Sequence, residues 1–142
     1  MEKERILILG VTGMLGHTLF KEMNKNENFE VFGTTRNKNS LKDYFTLEEL
    51  SRIRDGVDAD NFETVIRAIA SVQPTIIINC IGIIKQLPIS RDPLTAITVN
   101  AQLPHRLSLV TRTAKARLIH ISTDCVFDSK KGNYTEKDLS NA

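Results

Sequence analysis

A glycine-rich segment near the start of the chain has the composition of a phosphate-binding loop. Gly10, Gly13 and Gly16 follow a short apolar run and open a predicted helix. The first glycine would allow a tight turn, the second a close approach of ligand to backbone, and the third close packing of helix on strand. N–H groups and the dipole at a helix start favour phosphate charge. The segment therefore predicts a site for a dinucleotide pyrophosphate; a glycine turn without a ligand is the alternative.

The residue after the second predicted strand bears on which dinucleotide this would be. An NAD site usually carries an acidic residue about 20 residues past the glycine motif, where it accepts a hydrogen bond from the ribose 2′-hydroxyl. This chain has Arg36 there and no acidic residue before Asp43. A guanidinium can bind a 2′-phosphate through two parallel hydrogen bonds, whereas a carboxylate would repel it. Arg36 therefore favours NADP(H) over NAD(H). The alternative is that Arg36 is a solvated surface residue that binds no cofactor.

Two more polar segments follow predicted strands further along the chain. Asn79-Cys80-Ile81-Gly82 comes after one strand, and Ser122-Thr123-Asp124 after another. Ligands of parallel α/β sheets bind beyond the carboxyl ends of the strands, so both segments should face the site. Gly82 would let the backbone approach the ribose and nicotinamide. A hydroxyl of the second segment could hydrogen-bond a developing alkoxide, although an ordinary polar turn explains that segment equally well.

The elements that would position these segments alternate between strands and helices. Apolar runs predict strands at residues 5–9, 30–35, 75–80 and 117–121, with a short further strand at Val57. Apolar residues spaced three or four apart predict helices at 14–26, from Asp60 to Pro74 and from Asp92 to about Ala114, with a helical turn at 47–53. Asp60 and Glu63 form a capping-box pattern, and the last helix should kink near Pro104. The order predicts an α/β fold, a Rossmann-like parallel sheet with helices on both faces.

Composition excludes several other classes of protein. The chain has 142 residues, of which 41% are hydrophobic and 25% charged, as in one globular domain with its own core. A formal net charge of +2 gives no footprint for nucleic acid or an anionic membrane. No apolar run approaches the roughly 20 residues that span a bilayer. The histidines and cysteines form no metal-like cluster, so no metal site is predicted. Cys80 and Cys125 are predicted to be buried thiols of a cytoplasmic chain.

Taken together, these residues resemble the extended short-chain dehydrogenase/reductases. The resemblance covers essentially the whole chain, and its motifs are Gly10-xx-Gly13-xx-Gly16, Asn79-Cys80-Ile81-Gly82, Ser122-Thr123-Asp124-Cys125-Val126-Phe127-Asp128 and Gly132-x-Tyr134-x-Glu136. Within that superfamily the chain looks most like the N-terminal portion of the dTDP-4-dehydrorhamnose reductase family. The resemblance implies NADPH-dependent reduction of the 4-keto group of a nucleotide-linked deoxysugar, a step in polysaccharide precursor synthesis.

The resemblance also implies a role for individual residues. Those that would hold the pyrophosphate are Gly10, Gly13, Met14, Leu15 and Gly16. Those that would contact the rest of the cofactor are Arg36 at the 2′-phosphate, Asp58 and Ala59 beside the adenine, and Cys80, Ile81, Gly82 and Asn100. Thr123 matches the hydroxyl member of a catalytic Thr/Ser-Tyr-Lys set, and Ser122 is its neighbour. Cys125 replaces a common tyrosine, which leaves the substrate open.

The family pattern also includes features that residues 1–142 do not contain. Its Tyr-x-x-x-Lys and its small sugar-binding domain would lie past Ala142, and Tyr134 has no lysine at the required spacing. Residues 1–142 are therefore expected to form an incomplete NAD(P)-binding Rossmann domain that stops before the last strands and is inactive alone. A nucleotide-sugar substrate is implied for the full-length protein, and a homodimer is a candidate assembly. Two alternatives stay open: an NAD-dependent nucleotide-sugar epimerase or dehydratase, which Arg36 disfavours, and a non-catalytic regulatory dinucleotide-binding subunit.

Overall fold

A five-stranded parallel sheet runs through the middle of the molecule, in the order β3-β2-β1-β4-β5. The computed structural model describes residues 3–84 and 87–141. The strands are β1 (Glu4–Leu9), β2 (Phe29–Thr34), β3 (Ile53–Arg54), β4 (Ile76–Asn79) and β5 (Arg117–His120). Their order reverses between β1 and β4, and a crevice for ligands forms at such a point. The predicted parallel sheet is confirmed.

Helices connect the strands and cover both faces of the sheet. They are α1 (Met14–Met23), α2 (Leu47–Ser51), α3 (Phe62–Val72), α4 (Pro93–Ala96) and α5 (Leu103–Thr113), and a π-helical turn, Ile97–Gln102, joins α4 to α5. Successive β1 side chains point to opposite faces: Leu7 and Leu9 pack with α3 and α5, and Ile6 and Ile8 with Phe20 of α1. All four β1 residues are fully buried, so both layers of helices rest on the same strand.

The third strand lies earlier in the chain than predicted. The sequence pattern placed it at Val57, but β3 is Ile53–Arg54, where Ile53 pairs with Gly33 of β2. Gly56 has a positive φ of 67° and turns the chain out of the sheet before Val57 is reached. The N–H of Val57 nevertheless donates to the carbonyl of Thr35 at 2.9 Å. Val57 therefore lies at the sheet edge without belonging to a strand.

The N-terminus of one helix agrees with the sequence-based prediction, and the N-terminus of another does not. Asp92, where the sequence predicted the last helix to begin, caps α4, since its carboxylate accepts from the N–H groups of Leu94 and Thr95. The predicted capping box of Asp60 and Glu63 is wrong, because the residue before α3 is Asn61 and, among the described residues, no side chain caps the helix. The N–H of Asp60 instead donates to the Asp58 carboxylate at 3.1 Å. That competing turn fixes the chain before the helix begins.

The long helix is irregular just before Pro104. The sequence predicted a kink near this proline, and the structure has the π-helical turn Ile97–Gln102 in the preceding residues. Proline lacks the N–H that a regular helix would use at its position. The wider turn places Asn100 on the side that faces the chain after β4, where it bonds to Ile83. Turns of this kind occur frequently at functional sites.

Candidate functional site

A hollow of about 260 Å³ opens at the carboxyl ends of β1, β2 and β4. Eight of the residues predicted to bind a cofactor line it: Gly10, Gly13, Arg36, Asp58, Ala59, Cys80, Ile81 and Gly82. Its wall also includes residues that the sequence did not predict to contact a cofactor, namely Thr12, Thr34, Thr35, Asp60, Leu87 and Thr95. The residues that line the hollow therefore lie where the strand order reverses, which is the place where dinucleotides bind in folds of this type.

The three glycines of the loop are required for different reasons. Gly10 has a positive φ of 86°, the conformation of a tight turn that side chains disfavour. A Cβ on Gly16 would lie 2.2 Å from the carbonyl oxygen of Gly10, so α1 could not pack against the loop. A Cβ on Gly13 would meet nothing closer than 3.7 Å. Internal packing thus explains Gly10 and Gly16, whereas no close contact requires a glycine at position 13, which lines the hollow.

The end of β2 fixes the glycine loop in place. The Oγ1 of Thr34 accepts a hydrogen bond from the N–H of Gly10 at 3.1 Å, and its carbonyl accepts from Val11 at 3.1 Å. Thr34 is almost fully buried. The only signal in the sequence was a hydroxyl residue at the end of a strand beside a glycine loop, and its partner depends on the pairing of β1 with β2.

Arg36 extends from the chain just beyond β2 and lines the same hollow. Its side chain is exposed and makes no hydrogen bond or ion pair with any residue that the structure describes. The neighbouring Lys38 is engaged, because its Nζ donates to the carbonyl of Ile53 at 3.0 Å. The guanidinium of Arg36 is therefore a cation available to an anion at this end of the hollow.

Asp58 and Ala59 form another part of the wall of the hollow. The N–H of Asp58 donates to the Oγ1 of Thr64 at 2.8 Å, so the first turn of α3 holds this wall. The carboxylate of Asp58 accepts the N–H of Asp60, and Ala59 is buried. The predicted pair thus has a defined position in the hollow, and its contact with adenine stays a prediction.

The chain beyond β4 is held by the side chains of two asparagines. The N–H of Ile81 donates to the Oδ1 of Asn79 at 3.1 Å. Asn100 binds the backbone of Ile83 twice, accepting from its N–H and donating to its carbonyl, both at 2.8 Å. Asn100 is not among the residues that line the hollow, and its predicted place beside the cofactor stays a prediction. It holds the backbone that follows Gly82.

Ser122 and Thr123 follow β5 and are both exposed. They do not line the hollow described above. The Oγ1 of Thr123 accepts the N–H of Cys125 at 3.1 Å, the bond of an ordinary hydroxyl-stabilised turn. Met14 and Leu15 of the glycine loop are likewise exposed and outside the hollow. A catalytic role for the two hydroxyls stays a prediction.

The cysteines differ in exposure, and the described residues contain no metal centre. Cys80 is half-buried, and burial raises the pKa of its thiol. Cys125 was predicted to be buried but is exposed, because the chain leaves the sheet at the end of β5. Within residues 3–84 and 87–141 no three histidine, cysteine or acidic side chains could hold a metal ion. The described helices also include none long and apolar enough to cross a membrane.

Tyr134 has a structural place in the segment after β5. Its ring stacks on Phe127 with centroids 4.5 Å apart, and its hydroxyl donates to the Asp128 carboxylate at 2.6 Å. The hydrogen bond from Tyr134 lowers the pKa of Asp128 below its ordinary value, with further help from the backbone of Lys130. A hydroxyl bound to a carboxylate in this way closes the loop of residues 127–134.

Comparison with known proteins adds a family and several relatives. The family described as RmlD substrate binding domain matches residues 4–141. The methionine adenosyltransferase 2 subunit beta of Danio rerio is 30% identical over 138 residues, 96% of this chain and 38% of that protein. A hypothetical dTDP-4-dehydrorhamnose reductase from Sulfolobus tokodaii superposes with a TM-score of 0.77 at 26% identity, over 96% of this chain and 45% of the other.

A third relative was solved with a nucleotide. The dTDP-4-dehydrorhamnose reductase from Bacillus anthracis, in complex with NADP, superposes with a TM-score of 0.69 at 25% identity, over 93% of this chain and 40% of that one. Each of the three relatives is thus covered over less than half of its own length.

Proposed function

This chain belongs to the RmlD substrate binding domain family, and on that premise we propose that it is the cofactor-binding part of an NADPH-dependent reductase. The substrate of the full-length protein would be a nucleotide-linked deoxysugar, and the enzyme would reduce its 4-keto group. One similar solved structure is a hypothetical dTDP-4-dehydrorhamnose reductase, and another is a dTDP-4-dehydrorhamnose reductase in complex with NADP. Because the chain spans less than half of each, catalysis is proposed for the full-length protein only, and the chain alone is expected not to turn over.

The observation that carries the proposal is that Gly13 and Arg36 line the same hollow. Gly13 leaves the backbone bare where no internal contact requires it, and Arg36 presents a guanidinium with no partner among the described residues. A pyrophosphate could approach the first and a 2′-phosphate the second. One ligand with both groups, NADP(H), would satisfy both residues.

The chain's own residues would then bind and orient the reactants. The N–H groups at the start of α1 would face the pyrophosphate, and the backbone at Ile81 and Gly82 would face the ribose and nicotinamide. When bound, NADPH supplies a hydride. Thr123 would donate a hydrogen bond to the carbonyl oxygen as negative charge develops there. The proton donor of the family, the tyrosine of Tyr-x-x-x-Lys, is not among residues 1–142.

A titration with NADPH and NADH tests the cofactor. We expect NADPH to bind the chain at least about tenfold more tightly, because a bidentate arginine–phosphate pair is among the stronger polar contacts. Arg36→Gln should remove most of that preference and leave NADH affinity within about twofold. Arg112→Gln, an exposed arginine on the last turn of α5, is the matched control and should change neither affinity. Tighter binding of NADH by the unmodified chain would overturn the NADP(H) assignment and favour the epimerase or dehydratase alternative.

A regulatory subunit is the second candidate function. The observation that favours it is the 30% identity to a methionine adenosyltransferase 2 subunit beta, a protein named as a subunit rather than a reductase. The two functions differ in turnover, so the full-length protein should be assayed with NADPH and dTDP- or UDP-linked 4-keto sugars. Oxidation of NADPH in proportion to sugar reduced supports the reductase. Tight NADPH binding without any turnover supports the regulatory subunit.

A further inference from the structure

A chain of hydrogen bonds joins the carboxyl ends of β4 and β5. Asn79 and His120 are register partners on these strands, and the Nδ2 of Asn79 lies 3.0 Å from the Nδ1 of His120. The Oδ1 of Asn79 accepts the N–H of Ile81. Its backbone carbonyl accepts the N–H of Ile121 at 3.1 Å. Asn79 is fully buried, so it sits between the segment that lines the hollow and the segment that leads to Ser122.

The direction of each hydrogen bond follows from the chemistry of the groups. A backbone N–H can only donate, so the atom of Asn79 that faces Ile81 must be its carbonyl oxygen. The amide nitrogen then faces His120 and donates to it. The Nδ1 of His120 must therefore accept, which requires a neutral imidazole with its proton on Nε2. If the Asn79 amide were turned over, its N–H groups would face the N–H of Ile81 with no acceptor between them.

This orientation matters because side chains hold the backbone after Cys80. The N–H of Cys80 still donates to the carbonyl of Leu9 in β1, at 3.1 Å. The next two backbone N–H groups with a partner, those of Ile81 and Ile83, donate to the side chains of Asn79 and Asn100. The position of this segment therefore depends on how the two side-chain amides are oriented.

We propose that His120 is a positioning residue. Its Nδ1 fixes the orientation of the Asn79 amide, and that amide fixes the backbone of Ile81 against the hollow. The hydrogen-bond chain is inferred from the observed distances alone, whereas its effect on NADPH affinity rests on the proposed function. His120 does not touch the cofactor in this arrangement and acts through Asn79.

Nitrogen NMR of the imidazole tests the direction of the bonds. We expect the Nδ1 of His120 to be unprotonated and Nε2 to carry the proton in the unmodified chain. In Asn79→Asp both carboxylate oxygens accept, so Nδ1 should become protonated while Ile81 keeps its acceptor. A protonated Nδ1 in the unmodified chain, or an unchanged imidazole in Asn79→Asp, would overturn the proposal.

Substitution of His120 tests the effect on Ile81. His120→Leu cannot accept a hydrogen bond, so amide exchange at Ile81 should accelerate about five- to tenfold, the effect of losing one hydrogen bond. His120→Asn carries an oxygen in the place of Nδ1 and should restore exchange to within about twofold. His105→Leu, an exposed histidine on α5, should leave it unchanged. Equal exchange in His120→Leu and His120→Asn, whether fast or slow, would contradict a positioning role.

The same variants connect this inference to the proposed function without merging the two. NADPH affinity should fall about five- to tenfold in His120→Leu and recover in His120→Asn. If the unmodified chain does not bind NADPH, the proposed function fails, while the imidazole and Ile81 measurements still decide the role of His120. If NADPH binds but Ile81 exchange does not respond, the proposed function stands and the positioning role fails.

Discussion

The glycine loop between β1 and α1 and the segment after β4 face the same hollow, but different forces hold them. Besides its two hydrogen bonds to Thr34, close steric packing fixes the loop, because Gly16 leaves no room for a side chain beside the Gly10 carbonyl. Hydrogen bonds from Asn79 and Asn100 fix the segment, which is partly exposed. The glycine loop should therefore lose its packing at once when a single methyl group is added to Gly16. The segment after β4 should instead loosen by degrees as single hydrogen bonds are lost.

The largest expected effect comes from adding one methyl group to the glycine loop, at Gly16. In Gly16→Ala the new Cβ would lie 2.2 Å from a backbone oxygen that cannot rotate away. The free energy of unfolding should fall by about 3 kcal/mol, at the upper end of overpacking effects. Urea denaturation measures this loss. A loss below about 1 kcal/mol would mean that the loop can shift, and that packing does not set its position.

The matching change at Gly13 separates ligand binding from packing. In Gly13→Ala the nearest heavy atom would lie 3.7 Å from the new Cβ, an ordinary contact. Stability should fall by no more than about 1 kcal/mol, because Gly13 is the N-cap of α1 and alanine is a poorer N-cap residue than glycine. NADPH affinity should nevertheless fall at least about tenfold, because the methyl group would stand where the backbone meets the pyrophosphate. Unchanged affinity in the titration would contradict the proposed place of the cofactor.

A smaller effect is expected when the segment after β4 loses its hydrogen bonds to Asn100. Asn100→Ala removes both bonds to Ile83, but the residue is exposed and water can replace them. The free energy of unfolding should fall by about 1 kcal/mol, and amide exchange at Ile83 should accelerate. Asn39→Ala is the control, since the side chain of Asn39 is exposed and has no hydrogen bond to a described residue. An equal loss in both proteins would show that the bonds to Ile83 do not matter.

The smallest effect concerns the segment after β5. The hydrogen bond from Tyr134 lowers the pKa of Asp128 in the folded chain. A carboxyl group with a depressed folded pKa stabilises the fold above its unfolded pKa, and that contribution is lost as the pH falls through the folded pKa. In Tyr134→Phe the pKa of Asp128 should rise toward its ordinary value, as seen by carbon NMR of the carboxylate. Tyr44→Phe, an exposed tyrosine, should leave it unchanged.

Residues whose role depends on local conformation could be predicted from the sequence. Gly10 and Gly16 follow from turn and packing rules, and Asp92 from helix capping, and the structure agrees with these. The capping box at Asp60 failed locally, because the Asp58 carboxylate competes for the same N–H.

Residues whose partners come from other strands could not be predicted. Thr34 bonds to Gly10 because β1 and β2 pair in one register, and Asn79 meets His120 because β4 and β5 do. No spacing along the chain encodes those distances. The exposure of Cys125 was missed for a related reason, since it depends on where the chain leaves the sheet after β5.

Because of the π-helical turn Ile97–Gln102, the number of residues in this helical segment determines which way Asn100 faces at the site. A π turn is an α-helical turn that has gained one residue, and each residue of a helix advances the side-chain direction by about 100°. Removing one residue between Asn100 and Pro104 would restore a regular helix while turning Asn100 away from Ile83 by about that angle. Among relatives, a one-residue gap in this helix would therefore mark a protein in which the backbone after Gly82 is held by another group.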